Sequence, residues 1–253
     1  MRHLPTIFFH ELRVLMLAPS TYIAAVLFLG VMGFVFAGIL DSYNKEAQDL
    51  SPSFVFFSLF WLPVLFMVPL LTMKCLAEER RAGTLETLLT TPVSTAEVVI
   101  GKFAASYALY VFLWLLTLGF MFILDHYARD ARFLDPGPLI GGYVFVAVSG
   151  LLFVSVGVLA SSISRSQAVA GVLAFALLFA IIIGARLVSD LTVLQQEGFT
   201  PFRDALENVQ VMSHLQDFTR GIIDTRQIVF YLSGTALALI FSILGVEGKV
   251  LRS

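Results

Sequence analysis

Charge is scarce in this sequence. Only 13% of its 253 residues are Asp, Glu, Lys or Arg, against about a quarter in soluble domains, so a chain bathed in water on every side is excluded. Cysteine is nearly absent. Cys75 stands alone, which rules out an internal disulfide and any cysteine-based metal site. All four histidines, His3, His10, His126 and His214, fall outside the apolar runs described next, so neither an HExxH metal pair nor an intramembrane proton relay is encoded. A phosphate-binding loop is missing too: the Gly-Lys steps at Gly101-Lys102 and Gly248-Lys249 lack the upstream glycine and the following Ser or Thr that would hold a nucleotide. Met1–Ser20 has no short apolar stretch followed by a small-residue cleavage site, so no cleavable signal peptide is expected.

What fills the sequence instead is oil. Hydrophobic residues make up 58% of it, gathered into six runs: Tyr22–Leu40, Phe54–Met73, Phe103–Leu124, Leu139–Ala160, Ala168–Ala185 and Ile228–Val246. Each is close to the roughly 20 residues that cross a hydrocarbon core about 30 Å thick. An unpaired backbone amide in lipid is costly, so such runs are expected to be helices. The fold class predicted is an all-α membrane protein with six transmembrane helices, forming one domain over residues 1–253.

None of the six runs contains Asp, Glu, Lys, Arg or His. Carriers coupled to protons or ions place ionisable groups within the membrane, so this chain does not read as one. Uphill work would need energy delivered by a partner. A path lined by Phe, Leu and Val suits a hydrophobic or lipid-linked substrate better than a small inorganic ion, and equally suits a mechanical role with no small substrate.

Six spans put both termini on one side. Nine basic residues fall there (Arg2, Arg13, Lys74, Arg80, Arg81, Lys102, Arg165, Lys249, Arg252) and seven on the other, four of them on the long connection from Arg186 to Arg226. Long segments translocate with less regard to charge, so both termini and the loop between spans two and three are expected in the cytoplasm.

The first residues carry a helical pattern of their own. His3, Thr6, His10 and Arg13 share one face, Leu4, Ile7, Phe8, Leu12 and Leu15 cover the other, and Pro5 suits a first turn. This reads as an interfacial helix that includes His10, Glu11 and Arg13 and lies in the membrane plane before Pro19; the alternative is a positively flanked start to the first span. On the opposite side, Ser189–Gln227 is longer than the other loops. Thr200-Pro201 offers a helix start followed by Phe202, Leu206 and Val209, and a second short helix is expected over His214–Arg220, ended by Gly221. These pieces are expected at the outer surface or dipping into it. Pro63 and Pro69 are expected to kink span two, unless simply tolerated. Gly33-xxx-Ala37 and Ala170-xxx-Ala174 are candidate contacts between two subunits, on a spacing common in membrane helices.

Between spans two and three stands LAEERRAGTLETLLTTPVS, beginning at Leu76. Glu78, Glu79, Arg80 and Arg81 can carry the second span on into the cytosol until Gly83 breaks the helix. Thr84 can cap a new short helix with Leu85, Leu88 and Leu89 on one face, ended by Pro92. Ser94 and Glu97 fit a capping box that opens the third span. A helix of about seven residues is unstable alone in water, so its leucines must be covered. They either lie on the inner membrane surface or dock in a groove on another protein, and docking is the stronger reading.

Residues Leu76–Phe103, together with SHLQDFTRGIIDTRQIVFYLS at Ser213–Ser233, resemble the ABC-2 class of permeases. Within it the chain resembles the gliding-motility (GldF-like) type and its relative, the permease of nitrous-oxide-reductase maturation. HELR at His10–Arg13 matches more weakly, since the family often has basic residues where this chain has Phe9-His10. Gln227 stands where relatives often carry an acid.

The resemblance implies a permease subunit of an ATP-driven transporter, an exporter in the bacterial cytoplasmic membrane, with no catalytic residue, metal or cofactor of its own. ATP and Mg²⁺ would bind a partner, a cytoplasmic ABC ATPase dimer. Thr84–Thr90 would be the coupling helix, with Leu85, Leu88 and Leu89 buried in the ATPase, Glu86 at the rim, and Glu78, Glu79, Arg80 and Arg81 in charged contacts nearby. The N-terminal helix would be the connecting helix beside the ATPase. His214, Phe218, Arg220, Gly221 and Asp224 would belong to an outer gate region, or else to ordinary interfacial packing. A second permease subunit, identical or paralogous, would complete the path, with membrane lipid around it and no nucleic acid. The competing reading is a scaffold that transmits ATPase motion to a partner with a large external domain, with nothing transported.

Overall fold

The computed structural model describes residues 3–45, 52–83, 94–127, 136–189, 209–222 and 224–250. Among them every regular element is a helix, and six helical segments are long and apolar enough to cross a membrane, as the sequence predicts.

An N-terminal helix, α1 (Leu4–Leu17), is followed after Ala18 by the first span, α2 (Pro19–Lys45). The second apolar run is divided: α3 (Pro52–Ser58) stops, and α4 (Trp61–Thr72) begins after a turn at Leu59 and Phe60. Pro63 explains the break. It has no N–H to give the Leu59 carbonyl and its ring crowds that group, so Leu59 accepts from the Leu62 N–H in a tighter turn. Pro69, by contrast, sits inside α4 without ending it. Of the two prolines expected to kink this span, one breaks it and one is tolerated.

A second turn, Met73–Leu76, precedes α5 (Ala77–Ala82). The third span comprises α6 (Thr95–Leu116) and α7 (Leu118–Tyr127), pivoting at Thr117, whose hydroxyl meets the Tyr143 hydroxyl at 2.8 Å. The fourth, α8 (Pro136–Ile163), is the axis of the bundle: 72% of its apolar window is buried, against 22–28% for the first, fifth and sixth spans. The fifth is α9 (Gln167–Phe179), a π-helical turn Ala180–Gly184 and α10 (Ala185–Ser189). The short α11 (Val211–Thr219) leads to the sixth span, α12 (Thr225–Val250).

The core is aromatic and aliphatic. Trp114 lies edge-on to Phe28, with ring centroids 4.9 Å apart, and stacks on Phe57, while Phe60, Phe145, Phe153 and Phe218 fill the space around α8. One sequence expectation changes here. Ala170 and Ala174 are wholly buried where α9 packs on α8 and α4, so these small residues serve packing within the subunit rather than between subunits. The apolar stripe of α1 (Leu4, Ile7, Phe8, Leu12, Leu15) turns toward protein and packs along α6. Phe9, Val14, Met16 and Leu17 are exposed apolar residues of the same helix, and His3, Thr6, His10 and Arg13 are exposed as the periodicity predicts.

Candidate functional site

Both residues that frame the segment 84–93 are fixed by local chemistry legible in the sequence. Gly83 follows α5 at φ 70°, left-handed backbone that disfavours any side chain. Ser94 opens α6 with a reciprocal capping box: the Glu97 N–H donates to Ser94 Oγ (3.3 Å), and the Ser94 N–H donates to Glu97 Oε2 (3.2 Å). The proposed lever, with Thr84, Leu85, Glu86, Leu88 and Leu89, lies outside the described residues.

What holds α5 comes from far along the chain. A helix start has amide groups without intrahelical partners, and Leu76 and Ala77 offer no acceptor of their own. Ser161, from the end of α8, supplies it: its Oγ accepts from the Leu76 and Ala77 N–H groups at 3.0 and 3.1 Å, and its hydroxyl donates to the Met73 carbonyl at 3.3 Å. One buried hydroxyl thus closes both sides of the break between α4 and α5. A turn later, Arg80 Nη1 donates to the Ser164 carbonyl at 2.9 Å. Cys75, in the break itself, places its sulfur 3.2 Å from Ser106 Oγ on α6.

The strongest polar contact joins three elements. Lys102, in the second turn of α6, reaches Glu11 Oε1 of α1 and Glu79 Oε1 of α5, each at 2.7 Å. The lysine side chain is 5% exposed, and the carboxylates 17% and 24%. Two charge-assisted bonds to one buried ammonium are short and directional. Immediately before it, Gly101 meets Ile7 of α1, where an added Cβ would fall 2.7 Å from the Ile7 Cγ2. The glycine brings α1 close and the lysine locks it.

Of the charged residues proposed from the sequence, Glu79 and Arg80 therefore hold the bundle together. Glu78 and Arg81 lie on the same short helix, with Arg81 exposed. Among the interfacial-helix residues, Glu11 faces inward to Lys102, whereas His10 and Arg13 face out. Sequence reading missed Lys102 and Ser161. A lysine bounded by Gly101 and the run from Phe103 was the one available signal; Ser161 offered none.

At the opposite end of the bundle, α11 docks on the start of α8. Gly141 permits it: a Cβ there would collide with the Phe218 carbonyl. Val211, His214, Leu215, Phe218 and Thr219 are buried, so α11 is part of the bundle's end rather than a helix resting on its surface. Its stop is a Schellman motif, with the Gly221 N–H on the Phe218 carbonyl (3.0 Å) and the Ile222 N–H on the Asp217 carbonyl (2.9 Å), Gly221 taking φ 78°. Asp224 caps α12 by accepting the Arg226 N–H at 2.8 Å. His214 Nδ1 lies 3.0 Å from the Tyr231 hydroxyl, and Gln227 Nε2 donates to Asp217 Oδ2 at 2.7 Å. The proposed outer residues His214, Phe218, Gly221 and Asp224 thus meet in one corner, while Arg220 is exposed.

Compared with known families, residues 66–246, most of the chain, match the model of the ABC-2 family transporter protein. A comparison with curated proteins gives no match.

Proposed function

Because the chain belongs to the ABC-2 transporter family, and so is a multi-pass membrane permease of an ABC transporter, we propose that its motion is powered by a separate cytoplasmic ATPase dimer, which binds the ATP and Mg²⁺, through the segment 84–93. The observation that carries this is the frame around that segment. Gly83 and Ser94 terminate two helices, one of which is bonded to α8 through Ser161 and Ser164 and to α1 and α6 through Lys102. A force applied between them is delivered to four helices at once. A mount tied to four helices suits a lever better than a loop.

In this reading Leu85, Leu88 and Leu89 seat in the ATPase, Glu86 borders the seat, and α1 flanks it, with both termini cytoplasmic in a bacterial inner membrane. The finer kinship is to the gliding-motility and nitrous-oxide-reductase maturation permeases. The substrate is hydrophobic or lipid-linked and is exported along a path completed by a second permease subunit. This is supported by the uncharged faces of the spans, many of whose exposed residues are Phe, Leu, Ile or Val.

The test is Leu88→Arg in the assembled complex. The variant is expected to insert normally and to lose co-purification with the ATPase, dropping ATP turnover to that of the ATPase alone. Undiminished binding and turnover would remove the coupling role. Reconstitution into liposomes with candidate lipids then separates export from a scaffold that moves an external partner without transport.

A further inference from the structure

The break between α4 and α5 is not written in the residues that form it. Thr72–Ala82 reads TMKCLAEERRA, without glycine or proline and rich in strong helix formers. Pro69 acts too early, since its ring crowds the carbonyl of Leu65. By length and apolar content Trp61–Ala82 could be one span. Yet α4 ends at Thr72, α5 begins at Ala77, and Leu76 between them takes φ −125°, about 60° from the helical value.

A side chain inserted into the hydrogen-bond ladder breaks a helix in this way, and Ser161 is that side chain. In a continuous helix the Ala77 N–H would donate to the Met73 carbonyl and the Leu76 N–H to the Thr72 carbonyl. Ser161 stands in for both. Its Oγ accepts from the two N–H groups and its hydroxyl donates to the Met73 carbonyl, which uses the full bonding capacity of a hydroxyl. Gly157, one turn earlier on α8, allows the approach, because a Cβ there would collide with the Thr72 hydroxyl.

The neighbouring serines show the alternative open to Ser161. Ser162 and Ser164 donate to the Leu159 and Ala160 carbonyls, at the same end of α8. If Ser161 did likewise, the Leu76 and Ala77 N–H groups could return to their helical partners. No donor is stranded in either arrangement.

We propose that Met73–Leu76 is a two-state hinge and that Ser161 is its clasp. With the clasp engaged, the span is broken. With it released, the Ala77 and Leu76 N–H groups bond to the Met73 and Thr72 carbonyls, and α4 and α5 join as one helix. The remaining ties of α5, from Glu79 and Arg80, run through long side chains that can follow the change. That the hinge transmits motion from the segment 84–93 rests on the coupling reading; the hinge itself does not.

The experiment places spin labels at Phe66→Cys on α4 and Arg81→Cys on α5, both exposed positions, in the full chain in nanodiscs. Cys75, the one native thiol, is replaced by serine, which keeps a hydroxyl beside Ser106. Double electron–electron resonance then reads the distance. A continuous helix separates the two positions by about 22 Å along its axis. Ser161→Ala strands two amides in the broken form and none in the joined one, so the population at the joined distance should rise at least about tenfold. Gly157→Ala, which holds α8 away from Thr72 and withdraws the clasp with its hydroxyl intact, should give the same shift. Adding Lys74→Gly to Ser161→Ala weakens the joined helix and should lower its population about fourfold. Ser162→Ala removes an equally buried hydroxyl that bonds only within α8, and should change nothing. A distribution unmoved by both Ser161→Ala and Gly157→Ala, or moved as far by Ser162→Ala, overturns the hinge. So does a shift that Lys74→Gly leaves in place, because the new state would then not be a joined helix. No ATPase is present, so the result is independent of the coupling role.

Discussion

At one end of the bundle, Lys102 draws Glu11 and Glu79 from two other helices onto a single ammonium. At the other, Gly141 lets the Phe218 carbonyl close on α8, and hydrogen bonds such as that between His214 and Tyr231 complete the fit. The first contact is ionic and joins three elements through one atom; the second is steric and joins two surfaces. A Coulomb attraction falls off as the inverse of distance, so the lysine still holds its carboxylates when the helices shift slightly. Close packing tolerates far less displacement. The end that would receive force from a partner is tied by the compliant kind of contact, and the far end by the stiff kind.

The largest expected effect comes from breaking the ionic tie. Lys102→Met would leave two carboxylates facing each other around the vacated ammonium position, and removing one partner of a buried ionic group costs about 3–5 kcal/mol. The unfolding midpoint of the purified protein should fall accordingly. The triple variant Glu11→Gln, Lys102→Met, Glu79→Gln should recover most of the loss, because no uncompensated charge remains. If the single lysine variant unfolds like the unmodified protein, the three-way contact does not hold this end together.

Next in size is the steric contact. Gly141→Ala puts a methyl group where the Phe218 carbonyl lies, and overpacking of this kind costs about 1–3 kcal/mol. No charge neutralisation can rescue it. The compensating change must be geometric, a displacement of α11, visible as faster modification of a cysteine placed at the buried Leu215. A variant that keeps both its midpoint and its protection would show that α11 yields at little cost, and the contrast between the two ends would collapse.

What was legible in the sequence divides along the same line. The capping box at Ser94 and Glu97, the stops at Gly83 and Gly221, and the short helix before Gly221 are set by residues within a few positions of one another, and all are present. The six spans were legible from length and apolar content. Ser161 meets Leu76 and Ala77 across 85 and 84 residues, and Lys102 meets Glu11 across 91. No local pattern encodes such partners. The stripe of α1 fell between these cases: periodicity identifies an apolar face, but lipid and protein cover such a face equally well, and here the cover is α6. Pro63 marked a weak point in span two, yet not whether the helix would bend or stop.

The smallest effect is also the most discriminating, because the two ends share one device. Gly83 and Gly221 each end a short helix in left-handed backbone, at φ 70° and 78°, with open space where a Cβ would project. Gly83→Ala and Gly221→Ala should therefore cost alike, about 1–2 kcal/mol of backbone strain with no steric clash added. Their consequences for coupling should differ. Alanine at position 83 redirects the chain as it enters the segment 84–93, so stimulation of the proposed partner ATPase should fall well beyond what the stability loss explains. Alanine at position 221 shifts the corner between α11 and α12 and should leave that stimulation intact. Equal loss of stimulation in both variants would mean that ATP turnover reads the bundle's stability alone, and the end that carries Lys102 would lose its claim to be the point where force enters.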